Sequence, residues 1–240
     1  MPYLIDWGYD NYIVTPTLGN LAGGSSLLQR IKISIKEFYW SSTANQYVFY
    51  QGTSSTREFA LARLSSGLRL SFGGTDVYIF TSSEISTVFG SSTISGLFSL
   101  EVDSVAESYT VSIDGSVVKS GTFTAGTDRV DGAGFRISSR PANNIVGDTG
   151  SASIFLSNET ETGDIQIYFD TGSGYILERD YVIPSSGITF PDNANGQDGT
   201  MYGSFSDSNL VYYAPPVNTP INPSITDLLA TSARLNWEQG

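Results

Sequence analysis

The sequence predicts an all-β protein, a jelly-roll-type sandwich of two antiparallel sheets. Three observations carry that prediction. Apolar and polar residues alternate with a period of two in segment after segment; Gly, Ser, Asn and Asp punctuate the segments at turn positions; and no stretch shows convincing amphipathic helical spacing. Many short strands separated in this way bury their apolar faces by packing two sheets against each other. No repeat of fixed period is visible, which sets propellers and solenoids aside.

The elements follow in chain order. Tyr12–Thr15 is the first strand read from the pattern. Within Arg30–Lys36, Ile31, Ile33 and Ile35 point one way and Lys32, Ser34 and Lys36 the other. Phe38 and Trp40 have the wrong parity to continue that strand, so a bulge or strand end is expected near Glu37. Tyr47–Gln51 is a further strand. Leu68, Leu70 and Phe72 alternate ahead of Gly73-Gly74, and Val77–Phe80 returns as the second arm of a hairpin. Ser82–Phe89 reads as a short helical turn or loop. Phe98, Leu100 and Val102 face one side with Ser99, Glu101 and Asp103 on the other. Tyr109, Val111 and Ile113 repeat the pattern up to Asp114-Gly115, a strong hairpin-turn dipeptide, and Val117–Phe123 is the partner strand. Phe135–Ser138, Ile154–Ser157, Ile165–Asp170, Tyr175–Ile183 and Leu210–Tyr213 complete the set.

Three prolines within Ala214–Pro220 forbid a central strand and favour an extended linker. The expected organisation is therefore a domain over 1–213, a Pro-rich linker over 214–222, and a segment over 223–240 too short to hold a core of its own.

Composition narrows function. Of 240 residues, 40% are hydrophobic and 12% aromatic, enough to fill a sandwich core. Acidic residues number 24 against 12 basic, a formal charge of −12 that repels phosphate backbones, so nucleic acid is excluded as a partner. No apolar run approaches the ~18 residues of a membrane-inserting helix. Histidine is absent, which removes Ser-His-Asp, Cys-His and zinc chemistry; cysteine is absent too, so no disulfide framework exists. Charged residues are only 15%, and the solvent face is built instead from Ser, Thr, Asn and Gly, a composition that suits extracellular, cell-surface or virion proteins. The start, Met1-Pro2-Tyr3-Leu4-Ile5-Asp6-Trp7, lacks the basic and apolar regions of a signal peptide, so the expected route outside a cell is assembly or lysis.

Several segments, taken in their order and spacing, resemble a known group. Tyr3–Trp7 with Tyr9–Ile13 is similar to its opening strand pair, and Ile33–Trp40 to the strand that follows. Leu97–Gly115, ending Tyr109-Thr110-Val111-Ser112-Ile113-Asp114-Gly115, resembles its most recognisable hairpin. Phe135–Arg140, Gly150–Leu156 and Asn195–Gly203 resemble later strands and a tail common in phage versions. The group is the concanavalin A-like superfamily, in particular the laminin G-like modules of secreted bacterial and bacteriophage proteins. The resemblance spans about residues 1–213 and implies a jelly roll that recognises glycans or protein partners. Pro223–Trp237 resembles the first two strands of a fibronectin type III module.

Laminarinase-type glycosidases on this fold carry carboxylates at alternating strand positions, because retaining hydrolysis needs an acid and a nucleophile on one face ~5–5.5 Å apart. Glu101 and Asp103 share a face, but the third acid, Glu107, comes one residue too late and falls in a hairpin loop. The pair therefore reads as solvated surface, and the chain is expected not to be an enzyme, with a divergent glycoside hydrolase using Glu101 and Asp103 as the rival. No cofactor is expected apart from calcium, for which Asp128 and Asp131, or Asp192 and Asp198, supply loop oxygens that ordinary turn chemistry also explains. Glycan binding needs aromatic faces and planar polar groups near strand ends; Tyr39, Trp40, Tyr47, Tyr50, Tyr78, Arg136 and Asn143 are the candidates. The leading expectation is a non-catalytic attachment module of a virion or cell-surface protein. A structural decoration or spacer, oligomeric and meeting other virion subunits, is the alternative.

Overall fold

The protein is described from a computed structural model, over residues 3–6, 12–19, 21, 30–36, 38–39, 46–53, 55–89, 97–128, 133–137, 161–162, 164–203, 205–212, 223–229 and 232–237. Strands are numbered β1 to β20 along the chain. Tyr3–Val211 form one compact unit, and residues from Tyr212 onward belong to a second.

The first unit is a sandwich of two large antiparallel sheets. One has eight strands in the order β16 (Thr189–Phe190), β17 (Gly199–Tyr202), β2 (Tyr12–Thr15), β12 (Phe135–Ile137), β5 (Gln46–Gly52), β6 (Arg57–Leu64), β7 (Gly67–Phe72) and β8 (Thr75–Thr81). The other has six: β11 (Ser116–Thr122), β10 (Ser108–Ile113), β9 (Phe98–Asp103), β3 (Arg30–Ile35), β14 (Ile165–Asp170) and β15 (Tyr175–Tyr181). The chain passes repeatedly from one sheet to the other, as a jelly roll does, and every ladder in both sheets is antiparallel. A smaller sheet orders β18 (Leu210–Tyr212), β1 (Tyr3–Asp6), β13 (Glu161–Thr162) and β4 (Phe38–Tyr39). In the second unit β19 (Pro223–Leu229) pairs with β20 (Ser232–Trp237).

The all-β, two-sheet prediction holds because alternation places one apolar row per strand in a shared core. Ile31, Ile33 and Ile35 of β3, Leu100 and Val102 of β9, and Ile165 and Ile167 of β14 meet Phe49, Phe59, Leu61, Leu70 and Phe135 of the larger sheet. Fully burying each such side chain contributes about 1.5–3 kcal/mol. The parity break after Ile35 is a strand end: β3 stops in the six-stranded sheet, and the chain resumes as β4 in the smaller one. Asp114 and Gly115 take φ of 49° and 78°, the doubly left-handed turn that this dipeptide favours.

Among the elements that go beyond the sequence pattern, a helix and β6 are the longest. Ser82–Phe89 is a full α-helix, α1. Its start is a reciprocal cap, in which the Thr81 backbone N–H donates to Glu84 Oε2 at 2.8 Å and the Glu84 N–H to Thr81 Oγ1 at 3.3 Å. β6 has no period-two signal, because residues 58–63 are buried without interruption. The expected strand Ile154–Ser157, along with Ser138 and Tyr213, lies outside the described residues.

Candidate functional site

The six-stranded sheet keeps one face in the core and turns the other away from it. Its registers align the side chains of that second face in cross-strand rows. Gln166, Ser34, Ser99 and Ser112 stand side by side in one row, and Tyr168, Lys32, Glu101 and Thr110 in the next. Asp170, Arg30, Asp103 and Ser108 form a third. The first two rows floor a hollow of about 260 Å3, rimmed by Leu97 and Gly115. The rim is held by the hairpin turn, since Asp114 Oδ1 accepts the Leu97 N–H at 2.8 Å and the Leu97 carbonyl accepts the Asp114 N–H at 3.0 Å.

One side of the hollow is fixed by a hydrogen-bond chain. Tyr168 Oη donates to Gln166 Oε1 at 2.8 Å, and Gln166 Nε2 donates to Asp180 Oδ1 at 3.0 Å, so both side chains have a set orientation. Lys32 Nζ lies 5.8 Å from the Tyr168 ring centre and 5.9 Å from that of Tyr175, within cation–π range. Below them Arg30 pairs with buried Asp170. The Asp170 carboxyl is held below the ordinary range by the backbone N–H of Gly172 and, against the opposing effect of burial, by Gly174 and Arg30. Burial, then the neighbouring Glu101 charge, pushes the Tyr175 phenol well above its usual range; its hydroxyl sits near Glu101 yet outside hydrogen-bonding geometry. On the other side Ser34 and Ser99 share a hydrogen bond of 2.7 Å.

Glu101 and Asp103 do share this face, but they do different jobs. Glu101 opens into the hollow. Asp103 Oδ1 accepts the N–H groups of Val105 and Ala106 at 2.9 and 2.7 Å, closing the turn into β10. Glu107 sits in that turn with φ of 48°, off the strand as its spacing predicts.

The aromatic candidates named from sequence fall elsewhere. Tyr47, Tyr50, Tyr78 and Arg136 all belong to the eight-stranded sheet, on the side away from the main core. Tyr47 and Tyr50 are 4% and 1% exposed, packed edge to face at 5.4 Å over Ala60 and Ala62. Rings so enclosed serve the packing of this face. Arg136, 8% exposed, lies 5.7 Å from the Tyr12 ring centre, and Tyr12 in turn stacks on Tyr202. Tyr78 is 45% exposed and accepts a hydrogen bond from Ser66 at 2.8 Å. Tyr39 lies in β4, while Trp40 and Asn143 lie outside the described residues. The residues that do line the hollow, Lys32, Ser34, Ser99 and Gln166 among them, are the polar partners of the alternating strands. Their parity was visible in the sequence, but which sheet would leave its polar face accessible was not.

The acidic loop around Asp192 is bound up in its own backbone. Asp192, buried, accepts the N–H groups of Asp180, Ala194, Asn195 and Gln197 at 2.7 to 3.3 Å, while Asp198 Oδ1 accepts the N–H of Asp192 itself at 2.8 Å. Burial pushes the Asp192 carboxyl up, but the backbone donors outweigh it and hold the group below its ordinary range. Asp128 is exposed beside Gly74, and Asp131 lies outside the described residues. Among the described residues no cluster of three or more acidic side chains could hold a metal ion. Among them, too, no helix is long and apolar enough to cross a membrane.

No protein-family model and no curated protein sequence matches this chain. Among solved structures, a candidate carbohydrate-binding protein of Bacteroides ovatus ATCC 8483 aligns with TM-score 0.49 and 10% identity over 84% of this chain and 58% of that one. The full extracellular region of zebrafish Gpr126/Adgrg6 aligns with TM-score 0.43 and 13% identity over 66% and 21%. The native heptameric SAP-like pentraxin of Limulus polyphemus aligns with TM-score 0.38 and 16% identity over 66% and 76%. The chain thus spans less than two thirds of the first two structures.

Proposed function

We propose that this protein is a non-catalytic binding module and that the hollow on the six-stranded sheet seats a glycan, serving attachment by a cell-surface or virion protein. One observation carries the reading. Two adjoining rows of this sheet present a carboxylate and an ammonium outside any ion pair among the described residues, several hydroxyls and one fixed tyrosine ring around a cavity. Polyhydroxylated ligands are recognised by groups of this kind, planar polar side chains beside an aromatic surface. The volume is slightly below the roughly 300–1,000 Å3 of drug-sized pockets, the size of a short glycan end.

Binding without hydrolysis is favoured by the fate of Asp103. Retaining and inverting glycosidases both need two available carboxyl groups, and here only Glu101 lines the hollow while Asp103 is engaged by two turn amides. The spacer alternative gains little from the surface. The exposed apolar residues Val117 and Ile176 stand on the two opposite edge strands of the six-stranded sheet and form no common patch.

The test is a glycan array probed with the full 240-residue chain, with and without chelator, alongside a reducing-sugar assay on every glycan bound. Reproducible binding to one glycan class, unchanged by chelator and without release of sugar, is the expected result. Binding to nothing displayed overturns the glycan reading. Turnover that disappears in Glu101→Gln restores the hydrolase.

A further inference from the structure

Lys32 and Glu101 are register partners on neighbouring strands. Side chains so placed start about 4.5–5.5 Å apart at Cβ, and opposite charges there ordinarily pair. These two do not. The Lys32 ammonium lies over the rings of Tyr168 and Tyr175 instead. Among the described residues neither Lys32 nor Glu101 enters an ion pair. The hollow therefore holds one charge of each sign in adjoining positions, neither locked in an ion pair and both facing the same small volume.

From this we infer that the hollow selects uncharged sugars, and discriminates against both acidic and amino sugars. The inference rests on the glycan reading above and names the ligand class for that same site. A ligand carrying one charge of either sign meets its own sign a few ångströms away, and like charges brought together in a partly enclosed site cost affinity. A neutral polyol meets no such penalty. Adjacent hydroxyls donate to the Glu101 carboxylate, and a ring or hydroxyl oxygen accepts from Lys32, both charge-assisted hydrogen bonds of the stronger class. The neighbouring hydroxyls of Thr110 and Ser112 can donate or accept as the sugar requires. Tyr168, its ring fixed through Gln166 and Asp180, is preorganised and loses little freedom when the ligand arrives.

The experiment is a titration of the full chain, followed by ligand-observed NMR, with matched probes: methyl glucoside, methyl galactoside and methyl mannoside, each set against its uronic-acid and 2-amino counterpart, with glycine as a zwitterionic probe. At least one neutral glycoside is expected to bind, with each charged counterpart weaker by ~10-fold or more. Glu101→Gln is expected to weaken the neutral sugar ~10-fold while narrowing its advantage over the uronic acid, and Lys32→Gln to narrow its advantage over the amino sugar. A merely structural role for either residue would lower all probes alike, and that result overturns the inference. A charged sugar bound as tightly as its neutral counterpart, or glycine bound in preference to all of them, also overturns it while leaving a binding role for the hollow. Failure of every sugar overturns the glycan reading with it.

Discussion

The two large sheets of the sandwich share one core, yet they treat their second faces in opposite ways. On the six-stranded sheet, β9 alternates buried and half-buried residues throughout, β3 does so over 30–33 and β10 over 108–111, and the half-buried set there is polar. On the eight-stranded sheet, β5 and β6 bury residues of both parities: Phe49, Phe59 and Leu61 in the main core, Tyr47, Tyr50, Ala60 and Ala62 in a second cluster behind it. A face that is buried twice is a packing surface, and its aromatics stabilise the fold. A face buried once leaves its other side chains free to meet a ligand. Aromatic content therefore points to function only after burial has been assigned.

The largest expected effect comes from treating a tyrosine on each sheet alike. Tyr50→Ala should lower unfolding stability by about 3–5 kcal/mol, as truncation of a fully buried aromatic does. Tyr168→Ala should cost only about 0.2–1 kcal/mol of cross-strand pairing, yet abolish most glycan binding. Urea unfolding and glycan titration on both variants check the contrast. Equal stability losses would erase the distinction between the faces.

That contrast also explains what the sequence reveals. The strands β3, β9 and β10 are legible because their apolar residues face the core and most of their polar ones do not, so alternation survives. The Asp114-Gly115 and Gly73-Gly74 turns are legible because left-handed backbone favours those residues. β6 is illegible for the opposite reason. Its even and odd residues are both enclosed, and it includes a buried Glu58 that accepts N–H groups from Leu21 and Gln51 at 2.5 and 3.0 Å, a burial no periodicity announces. The site divides in the same way. The polar parity of Lys32, Ser34, Ser99 and Glu101 can be read from the chain, but the cross-strand registers that gather them with Gln166 and Tyr168 are long-range facts.

The edges of the sheets, where the two are tied together, supply the next contrasts. Asp192 sits between β16 and β17 of the eight-stranded sheet, and its carboxylate gathers backbone donors from its own loop and from Asp180 in β15 of the six-stranded sheet. Asp192→Ala should cost about 1.5–3 kcal/mol, the value of hydrogen bonds to a charged acceptor. Because the Asp192 and Asp170 carboxyls are held below their ordinary range, their stabilisation is complete above the unfolded value near pH ~4 and is lost as pH falls through the folded value. Denaturant midpoints measured from pH 6 down to pH 2 should show that decline, and a smaller one in Asp192→Ala.

Gly126 marks another tie. The chain leaving β11 crosses the β7–β8 turn so closely that a Cβ on Gly126 would lie 1.8 Å from the Gly73 carbonyl oxygen, and the Gly126 N–H donates to the Phe72 carbonyl at 3.2 Å. Gly126→Ala must push backbone from backbone and should cost about 1–3 kcal/mol. Since neither Gly126 nor Gly73 lines the hollow, glycan affinity of the folded variant should stay unchanged.

The smallest effect is expected at the pair that links the two open edges. Lys119 of β11, on the edge of the six-stranded sheet, contacts Glu84 of α1, which follows the edge strand β8 of the eight-stranded sheet. The Lys119 partner, with Thr81 as a further donor, holds the Glu84 carboxyl down at about 2, and Glu84 in turn raises the Lys119 ammonium. The two shifts define a window. Glu84 stabilises the fold above its unfolded value near pH ~4.3 and loses that contribution as pH falls toward its folded one; Lys119 stabilises below its unfolded value near pH ~10.4 and loses the contribution as pH rises through its raised one. Both partners are substantially exposed, so solvent and salt screen the attraction, and exposed pairs contribute about 0.2–1 kcal/mol. Lys119→Met should therefore shift the urea midpoint slightly at pH 7 in low salt, less in 1 M salt, and less again at pH 2, where Glu84 is losing its charge. A shift larger than that of Tyr50→Ala would mean that the open edges, and not the doubly buried face, set the stability of the sandwich.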